Sequence, residues 1–316
     1  MFKKREIPVY IFTGFLESGK TSFIEETMKE GQFEEGGKKA LIVCEEGEVE
    51  ISDELLKKNK FKVYNFENEE DVNLKAFEKI ERDLKPDTVI VEWNGTWDQN
   101  NLIEALPDQW LIGETIALVD ASTYQAYLSN MKMMMINQFQ YADLICFNRC
   151  TEDMDLASYK RTSRAKNRRA QVIFEMTDGQ INNDVKEELP YDINASVIEV
   201  EDDDFGIWYM DCFDNVEKYK GKVFKFKGVV YKPKKAKEDV FVPGRFAMTC
   251  CAADIQFVGF PCKYEGVSEL KEKQVVTVTA ELDSAFSKTY GQEAPVLRAK
   301  SIEPAEAPKE EVVYFG

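Results

Sequence analysis

Short apolar runs rich in β-branched residues recur through the first two thirds of this 316-residue chain. Continuous apolar runs of this kind are typical of parallel strands that are buried on both faces. Longer amphipathic stretches, such as residues 22–30 and 74–84, separate the runs and predict helices. The alternation predicts an α/β fold with a doubly wound, mainly parallel sheet. The predicted strands are residues 7–12, 40–43, 88–91, 116–119, 144–147 and 172–174.

The pattern changes after the acidic run at residues 201–204. From Lys222 apolar and polar residues alternate with a period of two, and similar segments follow at residues 245–251, 274–282 and 296–302. Such alternation with little helix between predicts a small all-β domain, an OB-like barrel or a sandwich. We therefore expect a first domain over residues 1–205, a small β domain over 213–303 and a poorly ordered acidic tail over 304–316.

The segment after the first predicted strand reads Gly-Phe-Leu-Glu-Ser-Gly-Lys-Thr over residues 14–21. It fits the P-loop pattern G-x-x-x-x-G-K-[ST] in the strand–loop–helix context that makes this pattern specific. Backbone N–H groups of such a loop face an anion, Lys20 reaches the β- and γ-phosphates, and the Thr21 hydroxyl binds Mg²⁺. The predicted nucleotide contacts in the loop are Gly14, Glu17, Ser18, Gly19, Lys20, Thr21 and Ser22.

A second candidate residue is Glu92, which ends the apolar run at residues 88–91. A carboxylate at a strand end beside a P-loop takes the place of a Walker-B acid and binds Mg²⁺ or its water shell, whereas the alternative is a plain cap. Lys20 and Glu92 are the predicted catalytic residues, and Thr21 and Glu92 the predicted Mg²⁺ site. Gly95 is expected to let the backbone approach the γ-phosphate. Glu17 is expected to face solvent, or else to weaken phosphate binding.

Further segments occur in a fixed order around these motifs. They are residues 41–51, 90–95, 117–121 and 138–145, the last leading to Asn148 and Arg149. Together with the P-loop they resemble the CobW-type P-loop GTPases, a family that includes metallochaperones for nickel, zinc and cobalt. The resemblance covers about residues 7–200. It implies a switch that binds GTP and Mg²⁺, with Asn148 and Arg149 at the base and with Glu45 and Glu48 in a switch-like loop.

The chain departs from that family at three places. The guanine-reading motif Asn-Lys-x-Asp reads Asn-Arg-Cys-Thr over residues 148–151, so Thr151 replaces the carboxylate that accepts from guanine, unless Asp153 supplies it. Residues 63–67 hold no cysteine where many members carry Cys-x-Cys-Cys, and Ser52 stands where members carry aspartate. We therefore expect a weaker preference for GTP over ATP and the loss of the family's metal site with its metal-gated hydrolysis.

Residues 213–303 resemble another family, the soluble subunit of a predicted two-component membrane permease. The resemblance rests on Gly-Arg-Phe-Ala-Met-Thr-Cys-Cys-Ala-Ala-Asp at residues 244–254. Candidate ligands for a zinc ion in this part are Cys250, Cys251, Asp254 and Cys262. Consecutive strand residues point to opposite faces, so these thiols share an ion only across a bulge. Buried thiols without metal are favoured, and bound zinc is not expected.

The composition limits the classes of partner and of site that this protein can have. The formal net charge of −17 disfavours a nucleic-acid or anionic-membrane partner. No apolar run approaches the roughly 18 residues of a membrane span, and no signal-peptide core follows the start, which indicates a cytoplasmic protein that is not membrane-embedded. The absence of histidine excludes imidazole bases and ligands. Seven scattered cysteines suit reduced thiols.

The leading hypothesis is a nucleotide-dependent switch with slow GTP hydrolysis, whose β domain engages a protein partner or a metal-transport component. The alternative is a non-hydrolysing nucleotide-binding scaffold whose β domain binds a partner or a permease subunit. A third possibility, single-stranded nucleic-acid binding by the barrel, is disfavoured by the acidic charge.

Overall fold

The computed structural model describes residues 5–315 apart from residues 34–35, 46, 48, 183–184, 186–188, 235 and 250–253. The chain divides into two compact units, one of residues 1–156 with 166–185 and the other of residues 157–165 with 186–316. Residues 186–205 therefore belong to the second unit, whereas the sequence analysis counts them in the first domain. The domain bounds given there stay predictions. In the part of the chain that is described, no helix has both the length and the hydrophobicity to span a bilayer.

Eight strands form the sheet of the first unit: β1 (Ile7–Thr13), β2 (Lys39–Val43), β3 (Phe61–Asn65), β4 (Thr88–Glu92), β5 (Trp110–Asp120), β6 (Leu144–Cys150), β7 (Gln171–Met176) and β8 (Ile181–Asn182). Their order is β3-β2-β4-β1-β5-β6-β7-β8. Strands β1 to β7 pair in parallel, and β8 returns antiparallel to β7. The predicted α/β fold and its parallel sheet are confirmed.

Strand β3 was missed by the sequence analysis, and its exposure explains why. It lies at the edge of the sheet, and only Phe61 among its five residues is buried. An edge strand buries one side at most, so it lacks the continuous apolar run by which the central strands were recognised.

Helices cover both faces of this sheet: α1 (Lys20–Lys29), α2 (Asp53–Lys58), α3 (Leu74–Leu84), α4 (Gln99–Ala105) and α5 (Ala121–Asn137). A sixth helix, α6 (Leu156–Lys166), lies mostly in the second unit. Successive residues of a strand face opposite sides. Val9 and Val91 therefore pack with Phe77 of α3 on one face, while Phe12 and Ile90 pack with residues of α1 on the other.

The second unit contains β9 (Ile198–Glu199), α7 (Phe205–Asp214), α8 (Val216–Tyr219), β10 (Val223–Tyr231), β11 (Val240–Met248), β12 (Gln256–Gly259), β13 (Cys262–Lys263), β14 (Val275–Ser287), β15 (Gln292–Pro304) and β16 (Val312–Tyr314). Strands β10, β11, β13, β15 and β14 pair in this order, and β14 pairs again with β10. The five strands therefore close into a barrel, which confirms the OB-like barrel expected from the alternating pattern.

Aromatic side chains fill this barrel. Phe224 and Phe226 point inward from β10, while the alternate lysines Lys225 and Lys227 point outward. Trp208 of α7 contacts both phenylalanine rings, with centroid distances of 5.4 and 4.6 Å. Helix α7 buries eight of its ten residues. It therefore lacks the polar face by which an amphipathic helix is recognised in a sequence.

The segment after residue 304 differs from the poorly ordered acidic tail that the sequence predicts. Strand β16 pairs in parallel with β11, from Phe246 opposite Val312 to Met248 opposite Tyr314. Val313 and Phe315 are buried at 4% exposure each. The prediction of a poorly ordered tail is therefore wrong for residues 312–315. Burial of their apolar side chains stabilises this segment even though acidic residues precede it.

Candidate functional site

The loop between β1 and α1 has left-handed backbone at three positions, with φ of 143° at Gly14, 61° at Glu17 and 97° at Gly19. Glycine adopts this conformation without strain. A Cβ atom on Gly14 would lie 2.3 Å from the carbonyl oxygen of Leu118. Among the described residues, no side chain caps the start of α1 at Lys20. The loop thus presents the first N–H groups of a helix, which is a favourable setting for an anion.

Lys20 is the cation of the site, and its side chain is only 3% exposed. Its ammonium donates to the carbonyl oxygens of Gly14 at 2.7 Å and Phe15 at 2.9 Å. It also forms an ion pair of 2.6 Å with Glu45, which follows β2. A buried ammonium needs such partners, since burial disfavours its charge. The sequence analysis named Glu45 in a switch-like loop but did not foresee this ion pair.

Glu92 and Thr21 lie together at the end of β4 and the start of α1. The Thr21 hydroxyl donates to Oε1 of Glu92 at 2.6 Å. Burial raises the pKa of Glu92 above its ordinary value, and the nearby Glu45 adds to this, whereas the Thr21 hydrogen bond and the Lys20 charge act in the opposite direction. A hydroxyl and a carboxylate oxygen in contact form the donor set that Mg²⁺ prefers in P-loop proteins. These residues therefore fit a magnesium ion.

Gly95 packs directly on the phosphate loop. A Cβ atom at this position would lie 2.4 Å from the carbonyl oxygen of Gly14 and 2.9 Å from the nitrogen of Phe15. Real Cβ atoms do not approach backbone atoms so closely, so any larger residue must displace the loop. The glycine brings the segment after Glu92 into contact with the loop. Its expected approach to a γ-phosphate stays a prediction.

Two residues at the end of β6, Asn148 and Arg149, hydrogen-bond to the loop. Asn148 donates from Nδ2 to the carbonyl oxygen of Ser18 at 2.7 Å. Arg149 donates to the carbonyl oxygen of Glu17 at 3.0 Å and forms an ion pair with Asp120. Asp120 is the N-cap of α5, where it accepts from the N–H of Ser122. The sequence analysis gave Asp120 no role, although an aspartate between a strand and a helix is the usual sign of an N-cap.

The predicted loop residues surround a cavity of ≈ 320 Å³. Glu17, Gly19, Lys20, Thr21, Ser22, Glu92 and Arg149 are among its lining residues, together with Leu16, Glu45 and Asp120. Gly14, Ser18 and Asn148 are not among the described lining residues; Gly14 accepts from Lys20, and Asn148 donates to Ser18. Ser18 Oγ and Asn148 Oδ1 are buried without a partner among the described residues. Because buried polar atoms in proteins are nearly always hydrogen-bonded, both oxygens fit a polar ligand at the loop.

Thr151 and Asp153 follow Arg149, and the sequence analysis considered both for the position of the guanine-reading carboxylate. Thr151 and Asp153 are absent from the described lining of the cavity. Asp153 is fully exposed, and a hydrogen bond from the Thr151 side chain lowers the pKa of its carboxyl group. The carboxylate of Asp153 is therefore engaged by Thr151 and turned to solvent.

Comparison with known proteins decides the family. Residues 8–176, more than half of the chain, match the family model described as CobW/HypB/UreG, nucleotide-binding domain. The chain belongs to the CobW/HypB/UreG family. Residues 175–315 match a second model, the DUF1980 C-terminal domain. A search of curated proteins gives no significant match.

Solved structures of this CobW/HypB/UreG family resemble part of the chain. The Zn(II)-bound YjiA GTPase from E. coli is 24% identical over 56% of this chain and 60% of its own, with a TM-score of 0.41. HypB from Archaeoglobus fulgidus is 16% identical over 55% of this chain and 82% of its own, with a TM-score of 0.37. HypB from Helicobacter pylori in complex with nickel is 16% identical over 53% of this chain and 78% of its own, with a TM-score of 0.35. The chain thus spans about 60% of the YjiA chain.

The candidate zinc ligands of this CobW/HypB/UreG protein are only partly described. Cys250 and Cys251 lie outside the described residues. Cys262 is fully buried in β13, and burial raises the pKa of its thiol to about 12. Asp254 accepts from the backbone N–H of Thr249 at 3.1 Å. In the part of the chain that the structure covers, no three potential ligands gather around one point.

Proposed function

We propose that this protein is a GTP-dependent switch that hydrolyses GTP slowly. The observation that carries the proposal is the hydrogen bond between Thr21 and Glu92 in a P-loop cavity that Lys20 also lines, in a chain of the CobW/HypB/UreG family. Lys20 would bind the β- and γ-phosphate oxygens in place of its present acceptors. Thr21 and Glu92 would hold Mg²⁺, which neutralises charge on these phosphates when bound.

Slow hydrolysis is expected because, among the described residues that line the cavity, no arginine is placed to stabilise the charge of the reacting phosphate. The arginine of this lining, Arg149, is held by Asp120 and by the carbonyl oxygen of Glu17, so it is not placed to neutralise transition-state charge. An arginine supplied to that charge accelerates related enzymes by about 10³ to 10⁵. The chain also lacks histidine as a base. Single turnover is therefore expected to be slow unless a partner supplies the missing cation.

The rival proposal is a scaffold that binds nucleotide without hydrolysing it. A single-turnover assay with radiolabelled GTP and ATP in Mg²⁺ separates the two. Release of phosphate from GTP that stops in Lys20→Ala supports the switch. Bound but intact GTP after many hours supports the scaffold, and failure to bind either nucleotide rejects both.

An aromatic patch on the barrel favours partner binding as the role of the second unit. Tyr231 and Phe246 are 46% and 44% exposed, and each contacts the ring of Phe257 at a centroid distance of 5.4 Å. The Phe257 ring packs directly against Gly244, where a Cβ atom would lie 2.7 Å from the ring. Clustered exposed aromatic residues mark interaction surfaces. We propose a protein partner here, which does not depend on whether the first unit hydrolyses GTP.

Base selectivity is expected to be weak and to be restored by Thr151→Asp. Threonine cannot accept both guanine N1–H and N2–H, whereas a carboxylate can. The substitution should raise the preference for GDP over ADP by about tenfold or more, because hydrogen bonds to a charged group each contribute about 1.5–3 kcal/mol. Competition calorimetry measures the ratio. Thr151→Asn, of equal size but uncharged, is the matched control, and an equal gain in both variants contradicts the argument.

Nucleotide binding in Mg²⁺ is expected to weaken as the pH falls, with a midpoint above the ordinary glutamate pKa of 4.5. The raised pKa of Glu92 means that the folded protein binds this proton more tightly than the unfolded chain does. Protonated Glu92 therefore contributes to folding stability at low pH, and this contribution is lost as the pH rises. The ionised carboxylate, which would bind Mg²⁺, is lost as the pH falls.

Calorimetric titration of GDP with Mg²⁺ across pH measures this effect. Glu92→Gln keeps the size of the side chain and cannot titrate, so the pH step should disappear in that variant. A step of equal size in Glu92→Gln would assign the proton to another group.

A further inference from the structure

A buried polar network lies beneath the phosphate loop, in the first unit. Its members are Thr13 at the end of β1, Gln99 at the start of α4 and Gln138 at the end of α5, and they are 0%, 9% and 3% exposed. The Thr13 hydroxyl donates to Oε1 of Gln138 at 2.5 Å. Gln99 donates to Thr13 Oγ1 at 3.2 Å and to the Gln138 carbonyl oxygen at 3.4 Å. Each buried polar atom in a network of this kind is costly unless it is paired.

The amide nitrogen of Gln138 reaches two backbone carbonyls that belong to different parts of the site. It donates to the carbonyl oxygen of Gly95. It also donates to the carbonyl oxygen of Met134, one turn back in α5, at 3.3 Å. Gly95 itself presses on Gly14 of the phosphate loop. One side chain therefore connects the segment after Glu92 with the last turn of α5.

Helix α5 is bent just before this turn. Met131 has φ of −138° and ψ of 38°, which is not helical, and separates the first part of the helix from residues 132–137. Sharp bends in helices occur where the regular helical backbone is interrupted. The turn that Gln138 contacts thus lies beyond a kink in α5.

We propose that Gln138 is a positioning residue that sets the Gly95 peptide beside the phosphate loop and couples it to the last turn of α5. The inference rests on the proposed function. The Gly95 backbone lies against Gly14 and Phe15 of the loop, so a bound phosphate that shifts the loop would also shift the Gly95 peptide, whose carbonyl oxygen accepts from the amide of Gln138. The residues after the bend at Met131 then follow. Gln138 would thus contribute to the distinction between GTP and GDP without contacting either nucleotide.

The test compares the affinities of GTPγS and GDP, both with Mg²⁺, in the full chain. In Gln138→Leu the ratio of the two affinities is expected to change by about fivefold to tenfold, the effect of one hydrogen bond. A structural defect alone would weaken both nucleotides equally and leave the ratio unchanged. Gln140→Leu is the matched control, because Gln140 is the same residue type, two positions away and exposed.

A second variant and a second measurement cover the case in which Gln138→Leu does not fold. Gln138→Glu keeps the size and the acceptor for Thr13 but removes the donor to Gly95, and it should change the ratio similarly. In the wild-type protein, hydrogen exchange of residues 132–138 should differ between GTPγS and GDP, while that of α3 should not.

The outcomes separate the two proposals. If the wild-type protein binds neither GTPγS nor GDP, the proposed function fails. If it binds both, and the affinity ratio is the same in every folded variant and exchange at residues 132–138 does not depend on the nucleotide, the role of Gln138 is overturned.

Discussion

Lys20→Ala is expected to lower nucleotide affinity by about 100-fold or more. Two cations, Lys20 and Arg149, are among the described residues that line the cavity, and Arg149 is held by Asp120. The ammonium of Lys20 is therefore the cation placed to contact the β- and γ-phosphates. Each charge-assisted hydrogen bond contributes about 1.5–3 kcal/mol, and Lys20 would supply more than one. The fold should persist, since the sheet core does not include this side chain. Some stability is lost because Glu45, 11% exposed, then lies near Glu92 without a cation.

Calorimetry with GDP and Mg²⁺ measures the affinity, and circular dichroism shows whether the sheet is kept. Lys29→Ala is the matched control, because Lys29 ends the same helix but is 59% exposed and pairs with Glu25 at 2.9 Å. Removing an exposed pair of this kind changes stability little. An affinity within about threefold of wild type in Lys20→Ala would show that the loop does not hold phosphates through this residue.

Gly95→Ala is expected to have the second largest effect. The added methyl group would lie 2.4 Å from the Gly14 carbonyl oxygen and 2.9 Å from the Phe15 nitrogen, and backbone atoms cannot rotate away as a flexible side chain can. Overpacking of this kind costs about 1–3 kcal/mol of folding free energy. Because the displaced atoms belong to the phosphate loop, nucleotide affinity should fall as well, by about tenfold or more.

Denaturant unfolding and calorimetry measure the two effects. Gly113→Ala is the matched control in the same sheet, since its Cβ would meet the Tyr10 ring at 3.6 Å, an ordinary van der Waals distance. Its stability should stay close to that of the wild type. If Gly95→Ala is as stable and binds as tightly as Gly113→Ala, the close approach of this glycine to the loop has no role.

The sequence was sufficient for the local parts of the site. Gly14, Gly19, Lys20 and Thr21 lie within one strand–loop–helix unit, so their spacing alone predicted the loop that the structure shows. Glu92 was proposed as a Mg²⁺ ligand because it ends a buried strand and lies in a chain with a P-loop. Thr21 and Glu92 are 71 residues apart. They come into contact because β1, which leads into the loop and α1, lies beside β4, which ends at Glu92, in the parallel sheet.

The partners of these residues could not be predicted in the same way. Glu45 joins Lys20, Asp120 joins Arg149, and Gln138 joins Thr13 across 25, 29 and 125 residues. The sheet brings these pairs together, because β4 alone separates β2 from β1, β1 lies beside β5, and β5 lies beside β6, so strand ends that are distant along the chain are close in space. Asp120 and Gln138 also have ordinary local roles, as an N-cap and a helix end, so their types do not indicate the longer contacts.

The barrel shows the same division. The alternation in β10 predicted inward aromatic and outward lysine side chains, because the period of a strand is a local property. Helix α7 and strand β16 were missed, since the helix is buried on nearly all sides and the strand is three residues long. By itself the sequence determined the fold class, the phosphate loop and the alternation of the barrel strands. Only the tertiary structure decided which charges neutralise Lys20 and Arg149, what Gln138 holds and where the chain end pairs, because these depend on contacts between segments that are distant along the chain.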